Sequence, residues 1–552
     1  MNPIVRRELL ELLRMRKAVA LQFGLALACA LLVLSRWPTE GTVDLGGVHS
    51  LQVLRVFGYG LLAAILLLVP AFPATTLVRE KMKGTLALLL NSPMTPWSIY
   101  LGKLGGVLGF TLILLVMTAP AAAACHALGG GTTARGGIAA LYGVLFLAAV
   151  QLSTLALLVS CLARSTDSAL RTTYALVLVV CVLTLAPYEL LRGQSDVPAQ
   201  LASWLRCLSP LPAVMELLGQ GDVGSHGLLN QDSAIGRYLL LASIASLACA
   251  AAAISRLNHK LLDRARPAGV MTEDRSTLAR VARRLLFLVD PQRRSGSMTL
   301  LINPVMVKEF RSRRFGRSHW TLRLIAVCAI LSLGLSYIAA SGVLGWGVEI
   351  IGGALVLLQI ALLILFSPSL AAGMVSAERE SGTWQLLRMT PLSPGKILRG
   401  KLLSVAWPLL LLLCATLPGY VAMIASRPSL LHQVQRVVIC LAVTGVFAVL
   451  VSAAASTLFR STATATTASY LTLLAVCLAP LLVWLGREAP FGHTTVRWAL
   501  IVNPVAAALQ AADTPGFVEY ELLPANWWII GSACAVLLVL LRVRTWQLYR
   551  PE

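Results

Sequence analysis

Residues 80–104 read EKMKGTLALLLNSPMTPWSIYLGKL, and residues 378–402 read ERESGTWQLLRMTPLSPGKILRGKL. Aligned without a gap, eleven of the twenty-five positions are identical: Glu80/Glu378, Gly84/Gly382, Thr85/Thr383, Leu88/Leu386, Leu89/Leu387, Pro93/Pro391, Pro96/Pro394, Ile99/Ile397, Gly102/Gly400, Lys103/Lys401 and Leu104/Leu402. Within each copy the glycine ends whatever element precedes it. Thr85 or Thr383 offers a hydroxyl to cap a short helix by accepting a backbone N–H, and the downstream proline prevents that helix from continuing. Thr95-Pro96 and Ser393-Pro394 then place a cap before a proline at a first helical position. Each copy predicts a short apolar helix, a sharp turn and a new long helix, laid against a membrane surface.

Composition supplies that membrane. Hydrophobic residues make up 57% of the 552, charged residues 13%, and the mean hydropathy is +0.78. Soluble domains carry about 25% charged residues, so the chain reads as a polytopic all-α membrane protein. Its net charge of +22 could suggest nucleic acid, but the placement of the charges argues against that partner.

In chain order, Ile4 to Lys17 sets Val5, Leu9, Leu12 and Leu13 against Arg6, Arg7, Arg14 and Arg16, the pattern of a basic amphipathic helix at headgroup level. Membrane spans are expected over Ala18–Leu34, Val56–Val78, Leu104–Ala124, Gly137–Ala163, Ala169–Tyr188 and Gly236–Leu257. Residues 189–235 are polar and glycine-rich but hold Trp204, Leu205, Leu208, Leu211 and Leu217, which places part of the segment in the outer interface.

The plan then repeats. Asn2-Pro3 with Arg7-Glu8 is matched by Asn303-Pro304 with Lys308-Glu309, and spans follow at about 320–340, 350–372, 402–425, 437–459, 464–486 and 527–541. Smaller echoes agree: Arg164-Ser165-Thr166 with Tyr174 matches Arg460-Ser461-Thr462 with Tyr470, and Ser209-Pro210 matches Asn503-Pro504. The expected organisation is a first half over 1–257, a basic linker over 258–301 and a second half over 302–552, about twelve spans in all. An even number of spans per half makes the repeat parallel. Of the 46 Lys and Arg residues, 36 fall in the segments placed inside, while the outer segments hold 10 against 12 acidic residues. The positive-inside rule puts both termini and both Glu-Gly-Thr elements in the cytoplasm. In the linker, Leu278, Val281, Ala282, Leu285 and Leu286 alternate helically with Arg280, Arg283 and Arg284, which fits either a surface helix on anionic lipid or a solvated connector.

Catalytic chemistry has little to stand on. The chain lacks a G-x-x-x-x-G-K-[ST] loop, and its seven histidines are scattered without metal-ligand spacing, so no catalytic residue and no metal site is assigned. The eleven cysteines lie mainly in apolar spans, where a small hydrophobe is the favoured reading over an outer Cys125–Cys207 disulfide. Spans nearly free of charge, with Glu189 and Glu349 only near the outer ends, give a proton relay little to use. Gln151 and Gln359 are the deepest polar side chains; they could line a substrate route or hydrogen-bond between helices. The scarcity of charge in the spans disfavours a parallel-repeat secondary transporter with six plus six spans, and a membrane-embedded enzyme would need a cluster of His, Asp or Glu at one membrane face that the sequence does not offer.

These residues carry a resemblance. The basic helix beginning NPIVRREL, the cytoplasmic EKMKGTLALLLNSPMTPWSIYLGK between spans two and three, and six spans per half resemble the permease subunits of the ABC-2 type transporter family, nearly end to end and twice over. The resemblance implies that the elements over 80–97 and 378–395 contain coupling helices seated on separate ATP-binding subunits. The coupling residues would be Glu80, Gly84, Thr85, Leu88, Leu89 and Pro93, and Glu378, Gly382, Thr383, Leu386, Leu387 and Pro391. It also implies that Arg6, Arg7 and Glu8, and Lys308 and Glu309, belong to interfacial connecting helices. Most relatives carry one such half and dimerise. With both halves fused, this chain is expected to make a whole exporter pore in the lipid bilayer without another permease. It would recruit two ATPase subunits, identical or not, and leave ATP and magnesium to them. Glu80 and Glu378 could pair with a partner's basic residue or with the nearby Lys103 and Lys401.

Overall fold

The computed structural model describes residues 3–14, 16–34, 48–128, 137–163, 165–185, 187–188, 197–219, 233–257, 303–312, 328–330, 332, 334, 348–426, 428–485 and 491–549. Among these residues the ordered elements are helical throughout, and nine helices are long and apolar enough to cross a membrane, with shorter apolar helices at Gln22–Leu31 and Ser168–Cys181. The expected linker helix and most of the expected span at 320–340 lie outside the described residues. The chain divides into two compact units, Met1–Arg264 with Leu478–Ala499, and Ala265–Cys477 with Leu500–Glu552.

In the first unit, α1 (Pro3–Arg14) is the amphipathic helix, with Ile4 and Leu12 buried and Arg6, Arg7 and Arg14 exposed. It leads into α2 (Arg16–Leu34). The expected second span is two helices, α3 (Val48–Leu68) and α4 (Ala71–Lys83), joined at Pro70, which has no N–H to give the helical ladder. Short α5 (Thr85–Leu90) precedes α6 (Pro96–Leu128), α7 (Gly137–Leu162) and α8 (Thr166–Leu178). The unit closes with α9 (Val197–Arg206), α10 (Pro210–Leu217) and α11 (Ala234–Arg256). The centre is α7, which touches α3, α4, α6, α8, α10 and α11. Of its buried polar side chains, Thr154 Oγ1 donates to Gln151 O at 2.9 Å within the helix, and the Gln151 amide bonds outside it.

The second half of the chain follows the same order: α12 (Pro304–Ser312), α13 (Val348–Ala371), α14 (Ser376–Glu380), α15 (Trp384–Arg388), α16 (Pro394–Ser426), α17 (Leu431–Leu458), α18 (Thr462–Leu485), α19 (His493–Ile501), α20 (Pro504–Ala511) and α21 (Ala525–Tyr549), the end of α18 and most of α19 being counted with the first unit. Here α17 is central, touching α13, α16, α20 and α21.

The sequence echoes become matched hydrogen bonds. Tyr174 Oη donates to Leu67 O at 2.6 Å, and Tyr470 Oη to Leu365 O at 2.7 Å. Ser209 Oγ donates to Cys181 O at 3.1 Å, and Asn503 Nδ2 to Cys477 O at 2.9 Å. The first of these carbonyls lies in a π turn, Val179–Leu183, which ends the fifth apolar segment short of the expected Tyr188. A π turn breaks the regular ladder, and the Ser209 hydroxyl bonds a carbonyl within it. A third pair was not anticipated: Ser160 Oγ accepts from Val78 N at 3.2 Å, and Ser456 Oγ from Val375 N at 2.7 Å and Ser376 N at 3.1 Å.

In the segment expected at the outer interface, α9 exposes Val197, Leu201, Trp204 and Leu205, and the Arg237 guanidinium lies 4.9 Å from the centre of the Trp204 ring. Leu217, on α10, is buried instead. Cys125 and Cys207 are both free, so the disulfide considered for them is absent.

Candidate coupling site

Each short helix hangs from a left-handed glycine. Gly84 has φ +75° and Gly382 φ +74°, a region that disfavours side chains bearing a Cβ, and this is how α4 passes to α5 through one residue and α14 to α15 through three. The threonines that follow do not cap the short helices as expected. Thr85 Oγ1 donates back to Glu80 O at 3.3 Å and Thr383 Oγ1 to Glu378 O at 3.5 Å, so they tie off the preceding helix, whose last carbonyls lack partners. The next caps do form: Thr95 Oγ1 accepts from Ser98 N at 3.3 Å, and Ser393 Oγ from Lys396 N at 3.4 Å.

The two short helices present the same faces. Leu86 and Trp384 are buried, Leu387 is buried and its counterpart Leu89 half-buried, while Leu88 and Leu386 stand out at 72% and 65% exposure. Pro93 and Pro391 are exposed in the turns that follow. The inward side of α5 packs with Ile4 of α1, Ile99 and Tyr100 of α6, and Ala253 at the end of α11. The inward side of α15 packs near the end of α21, where Trp384 Nε1 donates to Leu548 O at 3.2 Å and Tyr549 Oη to Leu392 O at 3.1 Å.

Beneath each short helix lies a buried charge network. In the first unit the Lys103 ammonium, 2% exposed, is 3.0 Å from Glu8 Oε1 and 3.0 Å from Glu80 Oε1, and Arg7 reaches Glu80 Oε1 at 3.4 Å. In the second the Lys401 ammonium, 1% exposed, is 2.8 Å from Glu309 Oε1, 2.9 Å from Glu378 Oε2 and 2.9 Å from Met374 O, while Lys308 meets Glu378 Oε1 at 2.8 Å. Each network joins two cations to two carboxylates. That balance is what makes burial tolerable, because an unmatched charge in a low dielectric costs several kcal/mol. Glu80 and Glu378 are therefore interior ties rather than exposed contacts. Arg6 is exposed and stands outside the network.

The pairing of Glu80 with Lys103 was among the sequence alternatives, but the part played by Glu8 and Glu309 was not foreseen. The signal was present as two basic-Glu doublets in front of otherwise uncharged spans. Close backbone approach supports the same junctions. A Cβ on Gly106 would lie 2.6 Å from Glu8 Cβ, and one on Gly400 would lie 2.7 Å from Asn303 Oδ1. Asn303 Oδ1 accepts from Val305 N at 3.0 Å while its Nδ2 donates to Lys396 O at 2.7 Å, which caps α12 and pins it to the start of α16.

Gln151 and Gln359 lie apart from these junctions and are bonded inside their own units. Gln151 Nε2 donates to Leu208 O at 3.1 Å and its Oε1 accepts from Tyr238 Oη at 3.1 Å. Gln359 Nε2 donates to Thr416 Oγ1, and its Oε1 accepts from Tyr420 Oη at 2.8 Å. Gln151 thus ties α7 to α11 and to the turn at Leu208, and Gln359 ties α13 to α16. Among the described residues, no group of His, Cys, Asp and Glu is arranged to hold a metal ion.

Comparison with known families agrees with this duplicated architecture. Residues 3–219 match the family described as ABC-2 type transporter, and residues 347–543 match the one described as ABC-2 family transporter protein. No curated protein matches the chain. Neither family match is to an ATP-hydrolysing domain, and the first takes in Arg7, Glu8, Glu80, Lys103 and the whole of α5. With two such membrane domains and nine long apolar helices among its described residues, the chain belongs to the ABC-2 transporter family as the multi-pass transmembrane component of an ABC transporter.

Proposed function

We propose that the chain forms the translocation path of an ABC exporter, with twelve spans in two parallel halves and both termini in the cytoplasm, and that separate ATPase subunits drive it through α5 and α15. The observation that carries this reading is the matched exposure of Leu88 and Leu386 on two short helices whose other faces are locked into the bundle. An exposed leucine on a rigidly held helix at the cytoplasmic surface suits a partner's apolar groove. ATP-driven closure of the ATPases would displace α5 and α15. The lysine-centred networks would pass that displacement to α1 and α6 in one unit and to α12 and α16 in the other, as rigid-body movement. ATP and magnesium act on the partner subunits, and no nucleic acid and no second permease are required.

The test is co-purification from the native cell in mild detergent, followed by mass spectrometry and an ATPase assay, comparing wild type with Gly84→Pro and Gly382→Pro together. An ATP-binding subunit that accompanies the wild type and is weakened on the inserted double variant supports the reading. Absence of any ATPase from intact protein under several lipid conditions removes it and favours a secondary transporter.

A further inference from the structure

The two coupling elements share a backbone but not a surface. From Gly84 to Gly102 no residue is charged, and the basic residues Arg79, Lys81 and Lys83 all precede the glycine. From Gly382 to Gly400 the order is reversed: Arg388, Lys396 and Arg399 follow the glycine, and Arg379 with Glu380 precedes it. Glu380 is exposed, and its Oε2 is engaged within the chain, accepting from Thr462 N at 2.9 Å and Thr462 Oγ1 at 2.7 Å, where a carboxylate favours the helix N-terminus. Its counterpart in the first copy, Met82, is exposed beside exposed Lys83. The outward apolar residues differ too. In the first element exposed Met82 precedes the glycine, and exposed Leu88, Trp97 and Leu101 follow it with no charge among them. In the second Leu386 and Met389 are three apart on one side, next to exposed Gln385 and followed by exposed Lys396 and Arg399.

Resting on the reading of these elements as ATPase seats, we propose that they hold two ATP-binding subunits of different sequence. The subunit on the first element has an apolar seat for Leu88, with carboxylates facing only the Lys81–Lys83 side. The subunit on the second has a pocket for Leu386 and Met389 rimmed by carboxylates facing Lys396 and Arg399. One docking surface cannot complement both, because carboxylates placed for Lys396 and Arg399 would be buried without partners against Ser98 and Leu101, their counterparts in the first copy.

The experiment places the photo-crosslinker p-benzoylphenylalanine at Leu88 or at Leu386, one at a time, in the full chain in its native cell membrane. The captured chain is sequenced by mass spectrometry and accepted only if it carries a G-x-x-x-x-G-K-[ST] loop. Two different ATP-binding sequences, one from each position, are expected. A second arm adds Lys396→Glu with Arg399→Glu, which is expected to lower capture at Leu386 by about tenfold and leave capture at Leu88 unchanged, because like charges then face each other at one seat only. The same ATP-binding sequence at both positions, capture at one position alone, or equal loss at both in the charge-reversed chain overturns the inference while the permease reading stands. No ATP-binding chain at either position overturns both.

Discussion

A lysine ammonium buried in an apolar bundle persists only where carboxylates surround it, and Lys103 and Lys401 meet that condition in the same way. Replacing Lys103 by Met leaves Glu8 and Glu80 facing each other without a buried cation, and a loss of about 3–5 kcal/mol is expected. Arg7, 58% exposed, contributes less than about 1 kcal/mol through its bridge to Glu80, because solvent screens it. Thermal unfolding of the purified protein in detergent checks the pair: an unchanged midpoint for Lys103→Met, or a drop as large for Arg7→Ala, removes the network from the stability argument. Part of this was legible in the sequence, since Lys103 and Lys401 stand at matched positions downstream of matched glutamates. Glu8 was read as an interface residue because nothing in its neighbourhood announces that α1 lies across α6.

Among the elements, the short helix was readable because glycine and proline act locally. The positive φ of Gly84 and Gly382 confirms what the glycines implied, and Gly84→Ala is expected to strain the α4–α5 joint by about 1–2 kcal/mol. Its readout is faster protease cleavage in the segment 84–93 with the spans intact; wild-type cleavage rates would count against a strained joint. Gly106 carried no such signal, because its importance is a neighbour rather than a dihedral angle. An added methyl group at Gly106 meets Glu8 Cβ at 2.6 Å, so Gly106→Ala is expected to lift α1 from α6 at a cost of about 1–3 kcal/mol. The lift would read out as new reactivity of a cysteine introduced at Leu9, and a cysteine that stays protected would show that α1 accommodates the methyl. The hydroxyls of Thr85 and Thr383 show the opposite limit. A threonine after a glycine can cap forwards or tie backwards, and the choice depends on the carbonyl left open at Glu80 or Glu378.

At the scale of the whole molecule, the proposed orientation, with both short helices in the cytoplasm, rests on the distribution of basic residues. Single cysteines at Asn91 and Met389 in an otherwise cysteine-free chain are expected to react with an impermeant maleimide in inside-out vesicles and not in intact cells. Labelling at opposite faces would break the parallel repeat. The fused halves also predict one copy of this chain with two ATPase chains by native mass spectrometry; a stable complex holding two copies would mean that one chain does not complete the path.

The sequence by itself determined that the chain lies in a membrane, that it is built twice, and where the two short helices are set off by glycine and proline, because hydropathy, charge placement and the dihedral limits of those residues are local properties of the chain. Tertiary structure alone decided which charges are buried together and which leucine of each short helix faces out. Arg7 meets Glu80 across 73 residues and Lys308 meets Glu378 across 70, and no local pattern ranks such partners before the helices pack. Leu88 and Leu89 are equally apolar neighbours, and only the cluster formed by Ile4, Ile99, Tyr100 and Ala253 draws one inward and leaves the other exposed.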